Sequence, residues 1–222
     1  MGEVCLAGGR LVELGSAELP CGEACLTGGL RGKKARLRLG ERSMNLISPN
    51  SPAYYLTSVT KDRLPVFRLD FLKTVTCNAL AEARTSGKFL IFAYVIMPDH
   101  LHLISDGENK AAKVLQFVNG LISRRVIDFL RAHGHESSLK KLEHQEYRRG
   151  HKYSLWGHHP NIRLLTSENM LMERVHYTHQ NSVRAGLVER AEDYRFSSVR
   201  IWNRAPLEEE PLLVDTDKLH WR

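Results

Sequence analysis

The chain has 222 residues, 42% of them hydrophobic, with 32 Lys and Arg against 25 Asp and Glu and a formal net charge of +7. This composition excludes a disordered chain and a membrane-embedded one: there is apolar material for a buried core, yet no apolar run approaches the ~20 residues that cross a bilayer. The four cysteines, Cys5, Cys21, Cys25 and Cys77, are too few and too uneven for a disulfide framework, and Cys21 with Cys25 lacks a second pair to close a zinc site. Reduced thiols follow. The amino terminus has no early basic cluster of the secretory kind, so a cytoplasmic location is expected. The excess positive charge gathers in RGKKARLRLG and EYRRGHK. It favours an acidic partner, with nucleic acid the leading candidate and solvated basic faces the alternative.

The first 43 residues are glycine-rich and carry a near-duplicated octapeptide, GEVCLAGG at 2–9 and GEACLTGG at 22–29. Such a repeat buries no core of its own, so residues 1–50 read as a flexible N-terminal extension and an ordered domain is expected over 51–204, followed by a tail over 205–222. AYYLTSVT (53–60) reads as a strand from its aromatic and β-branched content. Residues 69–85 carry Leu69, Leu72, Val75, Leu80 and Ala83 at helical spacing, with Gly87 as the stop. KFLIFAYVIM (88–97) has the look of a buried strand, Pro98 and Asp99 make a turn, and HLHLIS (100–105) returns as the next strand. A second helix spans 111–134, with Val114, Leu115, Val118, Leu121, Ile122, Val126 and Phe129 on its apolar side. The order β-α-β-β-α predicts an α+β fold, a ferredoxin-like sandwich with a central antiparallel sheet. A polar, basic stretch over about 135–154 follows. A C-terminal helix then begins at Ser167 as N-cap, with Glu168 in its first turn.

His100 and His102 are separated only by Leu101, so on a strand both imidazoles take one face and Leu101 and Leu103 the other. They read as a pair of metal ligands or as two half-exposed strand histidines. On the C-terminal helix, Met170, Arg174, Tyr177 and Asn181 form one stripe, beside an inward stripe of Leu171, Val175 and Thr178. Tyr177 therefore sits at the margin of the buried face, as a reactive phenol or as an amphipathic cover of the core edge.

The pairing of VIMPDHLHLI with YTHQNSVRAGLVERAEDYRFSSVR resembles the IS200-like Y1 transposases of the HUH type, and among them the REP-associated tyrosine transposases. It covers about residues 51–203 and rests on Met97, Pro98, Asp99, His100 and His102, and on Tyr177, His179, Asn181, Val183, Gly186, Leu187, Val188, Ser197 and Ser198. The resemblance implies the HUH/Y1 transposase fold with the tyrosine on its C-terminal helix. It implies a metal-dependent single-strand DNA endonuclease and strand transferase acting on single-stranded or hairpin DNA, in which Mg²⁺ or Mn²⁺ is bound by His100, His102 and Asn181. Tyr177 would attack a phosphate to give a 5′-phosphotyrosine and a free 3′-OH. Asn181, four residues after Tyr177, shares its helix face and offers a hard carbonyl oxygen, or else serves as a helix cap. A nucleoid-associated protein, homodimeric or monomeric, follows, as does an alternative in which a non-catalytic nucleic-acid-binding protein retains the fold. Gln180, Thr178 and Ser182 depart from the family pattern, and Ser182 stands where a proline normally stops the helix. Arg124, Arg125, Arg148, Arg149 and Lys152 are candidate phosphate contacts. Tyr194 is a rival nucleophile with the look of a packed residue, while His133, His135, His158 and His159 read as surface or loop residues.

Overall fold

A computed structural model of the chain describes residues 45–144, 152–157 and 159–220. The glycine-rich repeat, the RGKKARLRLG cluster, Arg148, Arg149 and His158 lie outside the described residues. The elements in chain order are β1 (Asn45–Leu46), β2 (Ala53–Val59), α1 (Asp70–Gly87), β3 (Ile91–Ile96), β4 (His100–Asp106), α2 (Ala111–Ala132), α3 (Glu136–Leu142), β5 (Asn161–Leu165), α4 (Glu168–His179), α5 (Asn181–Arg184), α6 (Val199–Trp202) and β6 (Leu219–His220). No helix among the described residues is long and apolar enough to cross a membrane.

The main sheet has the order β3-β4-β2-β5 and every neighbouring pair is antiparallel. With α1 and α2 as the two crossovers, this is the expected ferredoxin-like sandwich, completed by a fourth strand. Neither that strand nor α3 stands out in the sequence. In β5 four of the five residues are exposed, because it lies at the sheet edge, and α3 buries only Leu139 and Leu142. Both lack the periodic apolar face by which elements are recognised.

The register of β2 against β4 decides which side chains share a face. Thr57 lies opposite His102, Tyr55 opposite Ile104 and Val59 opposite His100, while Leu56 and Ser58 oppose Leu103 and Leu101. Alternation therefore sends Leu56, Leu101 and Leu103 into the core beneath α1 and α2, with Leu72, Leu80, Val118 and Val126. Fully burying each such side chain contributes roughly 1.5–3 kcal/mol. The other face is covered by α4, whose Leu171 and Val175 pack with Tyr55, Ile104 and Leu165. The inward stripe of α4 is as expected, with Leu171, Val175 and Thr178 all buried. Ser167 caps the helix, its hydroxyl accepting from the Met170 amide at 3.3 Å.

Two glycines resolve how helices end here. α1 runs through Gly87, and the left-handed residue is Lys88, at φ 53°. Gly87 is needed for space instead: a Cβ there would stand 2.8 Å from Phe89 and 3.0 Å from Phe117. At the far end of α5, Gly186 takes φ +67°, its amide bonds to Val183 O at 2.9 Å, and the Leu187 amide bonds to Ser182 O at 3.0 Å. That Schellman closure stops the helix without a proline at position 182.

Residues on both flanks of the expected 51–204 domain are built into it. β1 pairs in parallel with β6, Ile47 and Leu212 are buried, and the Asp215 carboxylate accepts from the Ile91 amide at 2.9 Å.

Candidate active site

The site lies on the α4 face of the sheet, at the end of β4 where His100 and His102 point the same way, their ring centroids 4.8 Å apart. Each imidazole is fixed through Nδ1. The His100 Nδ1–H donates to Asp99 Oδ1 at 2.6 Å, and Asp99 Oδ2 accepts from Arg63 at 3.0 Å. Partial burial raises the Asp99 carboxyl, but the hydrogen bond from His100 and the Arg63 guanidinium outweigh it and hold the group below the usual range. His102 Nδ1 meets the Tyr55 hydroxyl at 2.7 Å and the Thr57 hydroxyl at 2.9 Å. A hydroxyl donates or accepts, so both neutral tautomers of His102 are satisfied.

His102 is buried, at 5% exposure. Burial first, then the neighbouring His100 and Arg184, push its pKa down to about 3, against a hydrogen bond with Asn181 that works the other way. It is therefore a neutral imidazole at working pH, the form that offers a lone pair to a cation. Asn181 has already committed its Nδ2, which donates to Tyr177 O at 2.7 Å and to Thr178 O at 3.4 Å. The amide oxygen is what remains to face the ring. Asn181 begins α5 rather than ending α4, but Gln180 between them keeps right-handed helical dihedrals, φ −78° and ψ −4°, so the four-residue offset from Tyr177 still yields one shared face. The structure shows the cap, with the Asn181 nitrogen on Tyr177 O, and leaves the amide oxygen for the hydrogen bond with His102.

Tyr177 stands across the same face. Its ring centroid lies 5.8 Å from that of His102 and 6.2 Å from that of Tyr55, edge-on to both. Burial pushes the Tyr55 phenol up to about 12, which suits a structural hydrogen-bonding partner and not a nucleophile. Tyr194, the rival, is buried and donates its hydroxyl to Ile96 O at 2.7 Å. It is structural too.

The structure brings together His102, His100, Tyr177 and Asn181, and several of the other described candidates have partners of their own. Arg124 and Arg125 lie on α2, across the sheet from the site; Arg125 is engaged by Glu82 through two bonds of 2.8 and 2.9 Å, and Arg124 approaches Asp128 at 3.9 Å. Lys152 lies 3.6 Å from Glu143. His133 stacks on Phe129 at 3.9 Å. Among the described residues no three His, Cys, Asp or Glu side chains gather as a metal site; the Asp99 carboxylate is engaged with His100 Nδ1, and the Asn181 amide adjoins His102.

Sequence reasoning missed Tyr55 and Thr57, the groups that hold His102. Their spacing of two within a recognised strand placed both on one face, but only the β2–β4 register says that this face is the histidine face. Asp99 was seen as a turn residue, and its grip on His100 was missed.

No family model matches the chain, and no curated protein matches it. Solved structures do. One is a REP-associated tyrosine transposase bound to a REP hairpin, at 17% identity and TM-score 0.50, covering 74% of this chain and 86% of that one. Another was solved as a "putative transposase" from Deinococcus radiodurans R1, at 23% identity and TM-score 0.40, covering 56% of this chain and 86% of that one. The chain has the Y1 transposase-like α+β fold.

Proposed function

We propose that the protein is a metal-dependent single-strand DNA endonuclease and strand transferase that acts on hairpin or palindromic DNA through Tyr177. The observation that carries this reading is the Tyr177 ring 5.8 Å from the His102 ring, on the face that also holds His100 and Asn181. The likeness in fold to a transposase bound to a DNA hairpin is consistent with it.

His100, His102 and Asn181 would hold a divalent cation, Mg²⁺ or Mn²⁺. The donor set fits: both imidazoles are held through Nδ1, as in sites where a second layer of hydrogen bonds orients the ligands, and a cation would take the place of the hydrogen bond between His102 and Asn181. An amide oxygen is a hard donor suited to these ions. When bound, the cation supplies Lewis-acid polarisation of a phosphate oxygen. Tyr177 supplies the nucleophile: its oxygen forms a bond to phosphorus, the bond from phosphorus to the 3′-oxygen breaks, the phenol proton leaves and the 3′-oxygen takes one up. The phosphoester energy is kept in the protein link, so the strand can be rejoined.

The test is a denaturant-resistant adduct. Wild-type protein with a labelled hairpin carrying single-stranded flanks and Mn²⁺ is expected to yield one, and Tyr177→Phe none. Equal yields from the two proteins, or no adduct from wild type across a broad panel of hairpins, would defeat the enzyme reading and leave a DNA-binding protein with this fold.

A further inference from the structure

Two arginines flank Tyr177, and the metal chemistry above leaves them without a role. The Arg184 guanidinium lies 4.4 Å from the centroid of the Tyr177 ring; that of Arg174 lies 5.5 Å from the same centroid and 5.7 Å from that of Tyr55. Arg174 sits at i−3 and Arg184 at i+7 from Tyr177, on the side of the helix that holds Asn181. A third, Arg163, is the cross-strand partner of Tyr55 on the same face of the sheet. Cation–π packing accounts for a guanidinium beside a ring. It does not account for several converging on the tyrosine face.

Asp99 and Glu173 do not balance them. Asp99 is engaged by His100 and Arg63. Glu173 bonds Arg174 at 2.9 Å, but its side chain is 67% exposed while that of Arg174 is 18% exposed. The Arg184 guanidinium lies against the Tyr177 ring, and its charge is felt at His102. A divalent cation would increase the positive excess further. Like charges held this close are costly unless an anion enters among them, and the planar guanidinium fork matches phosphate oxygens.

We propose that Arg184 and Arg174 form a phosphate clamp on the Tyr177 face, Arg184 contacting the phosphodiester that Tyr177 attacks and Arg174 the adjacent phosphate of the same strand. The order of the contacts rests on the endonuclease reading; the anion site does not. Neither guanidinium exchanges a proton during attack. Arg184 binds the charge that spreads over the phosphoryl oxygens as the Tyr177–phosphorus bond forms, and Arg174 fixes the register of the strand.

Two measurements test the clamp. The first needs no catalysis: the full chain in EDTA binds a short oligothymidine strand, and the affinity is followed against salt. Arg184→Gln and Arg174→Gln are each expected to lower the slope of log K against log[salt] by about 0.7, one phosphate contact on a single strand. Lys218→Gln, at an exposed position paired with Asp217, is expected to keep the slope. Wild-type slopes in both arginine variants overturn the clamp, and a fall in only one overturns its two-arginine form. The second uses saturating hairpin and Mn²⁺, where Arg184→Gln is expected to slow adduct formation about 10²-fold, and Arg184→Lys, which keeps the charge and loses the fork, to recover part of that. An unchanged rate in Arg184→Gln overturns the contact with the attacked phosphate. If wild type forms no adduct, the endonuclease reading falls, and the salt slopes still decide whether the anion site exists.

Discussion

Two buried histidines, with different tasks, set how this protein responds to acid. His102 faces the candidate cation site with its pKa pushed down to about 3. His179 is pushed to about 4, by burial first and then by His176, and its Nε2 lies 3.0 Å from the Ser198 hydroxyl, tying α4 to the segment along β3. Both folded values lie below the ordinary histidine pKa of about 6.5. Above 6.5 neither state takes up the proton and the stability is fully present. As pH falls below 6.5 the unfolded chain binds protons that the folded protein refuses, so stability is lost down to the folded values. From pH 6.5 to 5 this amounts to about 2 kcal/mol per histidine, at 1.36 kcal/mol per unit. Urea unfolding in EDTA, which keeps cations from the imidazoles, is expected to give a lower midpoint at pH 5 than at pH 7.5, and His179→Gln is expected to flatten that difference. Equal midpoints in the wild type would contradict the neutral, buried state of both rings.

At the scale of elements, legibility follows how each element is stabilised. β2, α1, α2 and α4 bury a periodic face, while β3 and β4 are buried almost throughout, and periodicity or an unbroken apolar run located them to within a few residues. The β5 strand was missed because its place comes from main-chain pairing with β2 at the sheet edge, which leaves Ile162 and Leu164 exposed. The candidate site divides the same way. The His100/His102 alternation and the Tyr177/Asn181 offset are local periodicities and were readable. Tyr55 and Thr57 reach His102 through pairing between residues some 45 positions apart, which no local pattern encodes. Gly87 shows a third case: the residue was noticed and its reason was not. A glycine near a helix end reads as a left-handed stop, yet its lack of a side chain admits Phe89 and Phe117. Gly87→Ala, which a stop role would tolerate poorly and an ordinary helical site would welcome, is expected to destabilise by roughly 1–3 kcal/mol through overpacking. Thermal unfolding measures it. A stabilised Gly87→Ala would mean that the two rings move aside freely.

For the molecule as a whole, the question is what closes the sheet at β3, since an open edge invites pairing with other chains. The chain after α5 does so: the Ile96 amide bonds to Phe196 O at 2.9 Å, the Ser198 amide to Tyr94 O at 3.1 Å and the Asp215 amide to Ile91 O at 2.7 Å. One buried cation knits this edge cover together. Arg200 uses its whole guanidinium, donating to both Glu210 carboxylate oxygens at 3.0 Å and to the carbonyls of Glu192, Tyr194 and Arg195 at 2.7–3.0 Å. The two side chains are 8% and 1% exposed. In so dry a place the desolvation cost of both charges is high, and removing one partner strands the other. Glu210→Ala is therefore expected to lower stability by roughly 3–5 kcal/mol, whereas Arg200→Met paired with Glu210→Leu, which removes both charges and keeps the volume, is expected to lose much less. Urea midpoints of the two variants decide it: a single mutant no worse than the double would mean that the carbonyl bonds alone hold Arg200. Because the same segment carries Ser198, the partner of His179 on α4, loosening the edge cover should also loosen the helix that presents Tyr177. On the proposed endonuclease reading, Glu210→Ala is then expected to lower adduct yield at temperatures where the protein is still folded, and the double variant to restore it.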